Sequence, residues 1–136
     1  MKIYLAHPHA MKEYAKELQK KIETLGFSVL NPFDSTKYHK RLSEEWFAKP
    51  TQKLAEQIVE KDIRAIQKAD ITLIILGTCI TYGTVCEMFY SKSINHLTLV
   101  LALEDFAKSH PWVMTCATEV FMTEEELMEG LDKYAE

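Results

Sequence analysis

The chain has 136 residues and a net charge of −4, with 47% hydrophobic and 26% charged residues. This length suits one compact domain, and the composition excludes a disordered chain because it can supply an apolar core. The basic residues form no cluster, so a nucleic acid polymer is not an expected partner. A small anionic substrate stays open, since a helix N-terminus can bind phosphate without net positive charge.

The cysteines and histidines predict neither disulfides nor a metal site. Cys79, Cys86 and Cys116 are odd in number and form no CxxC pair, and the histidines show no metal-ligand spacing. No apolar run approaches the roughly 18 residues of a membrane span, and the N-terminus lacks the apolar segment of a signal peptide. We therefore expect a cytoplasmic protein with no membrane partner and no metal.

Hydrophobic periodicity predicts alternating strands and helices. The predicted strands are short and apolar: 2–6, 27–31, 71–76, 97–103 and 118–122. The predicted helices are 10–25, 51–68, 84–94 and 124–134, with a short helix near 41–48 and irregular stretches at 33–50 and 104–117. This alternation indicates an α/β domain over residues 1–136 with a mostly parallel sheet and right-handed crossovers.

Three local signals refine these boundaries. Gly26 is expected to end the first helix, and Thr123 with Glu126 fits a capping box for the last one. Asp70, just before a strand, is interpreted as a turn or strand-start residue. Ligands bind at the carboxyl ends of the strands in such sheets, which directs attention to the loops that follow strands one to four.

Glu87 is the leading candidate for chemistry. It lies in Gly83-Thr84-Val85-Cys86-Glu87, which follows the most apolar strand and opens a helix. On the first turn of that helix, the helix dipole would hold the carboxylate ionised, and such a carboxylate can attack an anomeric carbon. The competing interpretation is that Thr84 and Glu87 only form a capping box.

Other candidates have structural alternatives as well. Tyr4 is either a core tyrosine or a hydroxyl partner that tunes Glu87, and Asp62 is either catalytic or part of a solvated helix face. His7 and His9 flank Pro8 in the first β–α loop and could line the site. Three aromatic side chains could stack on a base or cover the edge of the core: Trp46, Phe47 and Trp112.

Four segments in the right order resemble the nucleoside 2-deoxyribosyltransferase family along most of the chain. They are Ile3-Tyr4-Leu5-Ala6-His7-Pro8, Leu30-Asn31-Pro32, the stretch from Asp62 to Asp70, and Gly83-Thr84-x-x-Glu87. The resemblance implies a flavodoxin-like, doubly wound five-stranded sheet and a homo-oligomer. It implies a nucleoside or nucleotide and a free base as small-molecule partners, with no cofactor.

The resemblance also implies roles for individual residues. Glu87 would be the nucleophile, Tyr4 its hydroxyl partner, and Asp62 an aspartate that helps to hold the base or sugar. The implied substrate contacts are His7, Pro8, Asn31, Thr81, Gly83 and Thr84.

Two departures from the family pattern bear on the reaction. Thr81 stands where the transferases often carry an aspartate, and the related nucleoside 5′-monophosphate N-glycosidases are more similar here, with a small hydroxyl residue suited to phosphate. His7-Pro8 replaces the usual Gly-Pro, so a bulkier side chain could narrow the pocket or contact the ligand.

Four functions are therefore in competition. The leading one is sugar transfer between bases through a covalent Glu87 intermediate, and the second is hydrolysis of a nucleoside 5′-monophosphate. A phosphoribohydrolase of the cytokinin-activating type ranks low, because Ile80-Thr81-Tyr82-Gly83 replaces its Pro-Gly-Gly run. The alternative from another class is a non-catalytic nucleotide-binding module.

Overall fold

A computed structural model describes residues 1–33 and 51–135 of the chain. Five parallel strands form one sheet in the order β2-β1-β3-β4-β5: β1 (Lys2–Ala6), β2 (Ser28–Leu30), β3 (Ile71–Leu76), β4 (Leu97–Ala102) and β5 (Glu119–Phe121). This order is doubly wound and flavodoxin-like, as predicted. The strand order reverses between β1 and β3, and a crevice opens at that point in such sheets.

Helices cover both faces of the sheet. They are α1 (Lys12–Glu23), α2 (Gln52–Lys68), α3 (Tyr82–Ser93), α4 (Asp105–Lys108), α5 (Pro111–Cys116) and α6 (Glu124–Asp132), with a 3-10 turn at His9–Met11. The predicted helix near 41–48 lies outside the described residues.

The prediction of a loop at 104–117 is wrong, because α4 and α5 occupy most of that stretch. Pro111 takes the first position of α5, where its missing N–H costs no hydrogen bond. The His110 side chain accepts the Trp112 backbone N–H at 3.2 Å and so caps the helix. Helices this short have too few turns to produce a recognisable hydrophobic period.

Side chains alternate between two buried layers along each strand. Ile3 and Leu5 pack with Leu18 and Ile22 of α1 and with residues of α6. Tyr4 and neighbouring even-numbered positions pack instead under α2 and α3, together with Ile66 and Met88. Because consecutive strand residues point to opposite faces, β1 presents Tyr4 to the α2 and α3 side of the sheet.

Three predictions about where helices and strands begin or end are confirmed. Gly26 takes a φ of 96°, which only glycine adopts without strain, just after the end of α1. Thr123 Oγ1 accepts the Glu126 N–H at 3.1 Å, and Glu126 accepts the Met122 N–H at 2.8 Å. Asp70 bonds the Lys2 backbone N–H at 2.7 Å, at the amino end of the sheet.

Within the described ranges, no helix has both the length and the apolar character required to cross a membrane.

We expect Gly130→Ala to destabilise the fold, because a Cβ at that position of α6 would lie 2.4 Å from the buried Phe121 ring. Overpacking of this kind costs about 1–3 kcal/mol, which exceeds the roughly 1 kcal/mol that alanine gains over glycine in a helix. Urea denaturation measures the difference. In a Phe121→Leu background the ring is gone, so the same substitution should cost less; an equal cost in both backgrounds would contradict the packing explanation.

Candidate active site

Tyr4, Asp62 and Glu87 are brought together where α2 and α3 pack on β1. Tyr4 is fully buried on β1, Asp62 lies on α2 and Glu87 lies on α3. The two helices pack against each other and against β1. Asp62 and Tyr4 both act on the ionisation of Glu87. The three residues predicted to be catalytic therefore form one group, beside the reversal of strand order.

Glu87 is the sixth residue of α3 and does not lie on its first turn, because the helix begins at Tyr82 and has Thr81 at its N-cap. A capping box would need Thr84 at the N-cap, but Thr84 is the third helical residue. Both the predicted first-turn position and the capping-box interpretation are therefore wrong. The Glu87 carboxyl group therefore does not cap α3.

Burial is the largest cause that raises the pKa of Glu87 and the charge of Asp62 is the second, while a hydrogen bond from the Tyr4 hydroxyl lowers it; together they bring the pKa to about 8. The expectation that the helix N-terminus keeps this group ionised is wrong, since the dipole effect fades beyond the first turn and desolvation dominates. Glu87 Oε2 is buried, and no hydrogen bond reaches it from residues 1–33 or 51–135. The side chain is protonated at neutral pH before a substrate binds.

The start of α3 carries the other predicted contacts of this region. Thr81 is exposed, Thr84 is buried, and their hydroxyl oxygens lie 3.1 Å apart. Gly83 lies beside Glu87, because a Cβ there would be 3.8 Å from Glu87 Oε1. The backbone N–H groups of the first helical turn have no partners within the helix. Donors suited to an anion and the Glu87 carboxyl thus share one end of α3.

His7, Pro8 and Asn31 form a separate group. His7 is buried, with Nε2 at 2.9 Å from Asn31 Oδ1 and Nδ1 at 3.0 Å from the Pro8 carbonyl oxygen. Asn31 also donates to Gln19 of α1 at 3.0 Å. These contacts tie the loops after β1 and β2 to the α1 face, whereas Tyr4 packs on the other face. Direct contact of His7, Pro8 and Asn31 with a substrate stays a prediction. The sequence offered no signal for Gln19.

An apolar groove of about 470 Å³ lies on another side of α3, between this helix, α4 and α5. Phe89 and Trp112 meet edge to face there, with ring centroids 5.9 Å apart, and both rings are more than half exposed. Trp112 lines this groove together with the buried Met88 and Val113, and Glu87 does not line it. Trp46 and Phe47 lie outside the described residues.

The three cysteines are free thiols. In the part of the chain that the structure describes, no group of three His, Cys, Asp or Glu side chains is arranged to hold a metal ion.

Comparison with known proteins adds a family and two structures. The family model for nucleoside 2-deoxyribosyltransferase matches residues 3–128. A 2-deoxyribosyltransferase from the psychrotolerant bacterium Bacillus psychrosaccharolyticus is similar, with a TM-score of 0.73, 18% identity, and coverage of 93% of this chain and 90% of that one. A CMP N-glycosidase from Clostridium botulinum has a TM-score of 0.61 and 17% identity, over 97% of this chain and 99% of that one. No curated protein sequence matches the chain.

The raised pKa of Glu87 predicts that Glu87→Gln gains stability over the wild type as pH rises. The folded state favours the neutral acid, so this contribution is fully present below the unfolded pKa of about 4.3 and is lost as pH rises through about 8. Glutamine does not titrate, so the advantage of the variant should grow by roughly 3–5 kcal/mol between pH 5 and pH 9.

Urea denaturation at both pH values measures this difference, with Glu129→Gln at an exposed position of α6 as the matched control. A difference between wild type and Glu87→Gln that stays constant with pH would show that Glu87 is not desolvated.

Proposed function

The chain belongs to the nucleoside 2-deoxyribosyltransferase family, and from that membership we propose that it cleaves the N-glycosidic bond of a nucleoside or nucleotide and transfers the sugar to another base. Members of the family are enzymes that act on such bonds. The observation that carries the proposal is the buried Glu87 carboxyl held beside Tyr4 and Asp62 at the reversal of strand order.

In the first step, a carboxylate oxygen of Glu87 bonds to C1′ of the sugar. The bond from C1′ to the base nitrogen breaks, and its electron pair leaves with the base. An acceptor base then attacks C1′, gives the proton of its attacking nitrogen to Asp62 and releases Glu87, so two displacements retain the configuration. The buried Oε2 supports this role, because no donor among the described residues engages its lone pairs.

The proton on Glu87 accounts for the departure of the base. Glu87 is protonated at neutral pH because its pKa is raised to about 8, and it must lose this proton to attack. Asp62 is the nearby carboxylate that can take the proton and pass it to a nitrogen of the leaving base. The Tyr4 hydroxyl stabilises the anion that remains. One proton thus moves from nucleophile to leaving group.

Hydrolysis of a nucleoside 5′-monophosphate is the second candidate, and the start of α3 favours it. The exposed Thr81 hydroxyl, paired with Thr84, adjoins the free N–H groups of that helix, which together suit a phosphate. Water would then replace the acceptor base at the same glycosyl intermediate. The similarity of fold to the CMP N-glycosidase is compatible with either reaction.

We extend the proposal to a homo-oligomer in the cytoplasm. The exposed Phe89 and Trp112 rings of the apolar groove support an interface, since contiguous exposed aromatic surface often marks one. The binding partners proposed are a nucleoside or nucleotide and a free base, with no nucleic acid polymer.

Glu87→Ala should abolish turnover, with a loss on the order of 10³- to 10⁵-fold, because the nucleophile is gone. The assay incubates the protein with a panel of deoxynucleosides, ribonucleosides and 5′-monophosphates, with and without an acceptor base, and follows products by chromatography. Exchange of bases indicates transfer, and steady release of base without exchange indicates hydrolysis.

Glu125→Ala, on the exposed first turn of α6, is the control for loss of a carboxylate. Wild-type turnover that survives in Glu87→Ala would rule out Glu87 as the nucleophile. Ligand binding without turnover in either protein would instead favour the non-catalytic binding module.

Thr81→Ala separates the two substrate classes. If a 5′-phosphate is bound at the start of α3, the KM for a 5′-monophosphate should rise about tenfold while the KM for the matching nucleoside stays the same, since one hydrogen bond to a charged group is lost. Thr81→Ser keeps the hydroxyl and should behave like the wild type. Equal changes for nucleoside and monophosphate would exclude phosphate binding by Thr81.

A further inference from the structure

A series of hydrogen-bonded polar side chains joins α1 to the loops after β1 and β2. Gln19 Nε2 donates to Glu23 Oε1 at 3.0 Å, and Asn31 Nδ2 donates to Gln19 Oε1 at 3.0 Å. His7 Nε2 lies 2.9 Å from Asn31 Oδ1 at the far end. His7, Gln19 and Asn31 are all buried, so each polar atom in the series needs a partner of the correct kind.

The order of donors and acceptors in this series of hydrogen bonds is fixed, because the series starts at the Glu23 carboxylate, which can only accept hydrogen bonds. The Glu23 carboxylate turns the Gln19 amide nitrogen towards itself and the Gln19 oxygen towards Asn31. Asn31 must then donate through Nδ2, which leaves Oδ1 facing His7. The Phe33 backbone N–H also donates to Asn31 Oδ1, at 3.0 Å, and fixes the same orientation. His7 therefore donates from Nε2 to Asn31, while its Nδ1 lies 3.0 Å from the Pro8 carbonyl oxygen, which can also only accept.

Phe33 is the side chain that this arrangement holds in place. Its backbone N–H is bonded to Asn31, and its ring packs on the His7 ring with centroids 5.0 Å apart. The exposed His9 ring lies 5.3 Å from Phe33 on another side. Phe33 is half-buried just beyond β2, at the carboxyl edge of the sheet. It is thus a partly exposed aromatic residue whose backbone is held by a hydrogen bond.

We propose that His7 is a positioning residue that holds Phe33 as an aromatic contact for the base of the substrate. The inference rests on the proposed function, since it needs a substrate that carries a base. Ligands of doubly wound sheets bind at the carboxyl edge, and planar bases stack on aromatic side chains. His7 acts through Asn31 and Phe33 and has no part in breaking the glycosidic bond.

Two substitutions at His7 separate the two ring nitrogens. His7→Gln can place an amide nitrogen where Nε2 stands and keep the donation to Asn31, whereas the side chain in His7→Asn is too short to reach it. Phe33→Leu removes the ring and leaves the backbone contact. Circular dichroism melting of each variant checks that it is folded under the assay conditions.

We expect Phe33→Leu and His7→Asn to raise the KM for the best substrate about tenfold while kcat changes by less than about twofold, because only binding of the base is weakened. His7→Gln should stay within about twofold of the wild type in both constants. Equal KM values for His7→Asn and His7→Gln, or an unchanged KM for Phe33→Leu, would overturn the proposal.

Two measurements on the wild type need no turnover and keep this proposal distinct from the proposed function. Nitrogen-15 NMR should find the His7 ring protonated on Nε2, and a ring protonated on Nδ1 alone would contradict the hydrogen bond from His7 to Asn31. Titration with adenosine and with CMP should shift the Phe33 amide signal. Binding of either probe without that shift, or binding of neither, would overturn the base contact even if another substrate is turned over.

Discussion

The desolvation of one carboxyl group is the constraint on which the proposed reaction depends. The Glu87 carboxyl lies where α2 and α3 pack on β1, and burial together with the charge of Asp62 makes its anion costly, with a pKa of about 8. The same low-dielectric surroundings strengthen the attraction between that anion and a positive charge. Cleavage of a glycosidic bond develops positive charge at the sugar. The Glu87 carboxyl, neutral before the substrate binds, can therefore become an anion that interacts strongly with the sugar when positive charge develops there.

The fold creates this enclosure through the register and order of its strands. Tyr4 reaches the α2 and α3 side because it occupies an even position of β1, with Ile3 and Leu5 on the other face. The chain returns past β1 to form β3, so the helices that precede and follow β3 both lie near β1. Those helices carry Asp62 and Glu87. Residues far apart in sequence thus meet because of one reversal in strand order.

The sequence predicted the parts of the fold that have strong local signals. The continuous apolar run of β3 indicated a strand buried on both faces, and the period of α2 gave its limits to within a residue. The start of α3 was less readable, since Tyr82 and Gly83 are weak helix formers and Thr84-x-x-Glu87 imitates a cap. Whether Glu87 is ionised depends on packing by distant elements, which no local pattern contains. The link from Asn31 to Gln19 is unpredictable for the same reason.

The two faces of the sheet divide the demands of the proposed glycosyl transfer. On the α2 and α3 face, a reactive carboxyl needs dry surroundings and a proton acceptor close by. On the α1 face, buried amides and an imidazole join the ends of β1 and β2 through hydrogen bonds. In the proposed mechanism, transfer and hydrolysis would share the glycosyl intermediate and differ only in which nucleophile reaches C1′ next. An active-site edge that binds a base would favour transfer, because a stacked acceptor base occupies the space that water would need. The same acceptor base presents its nitrogen to the sugar.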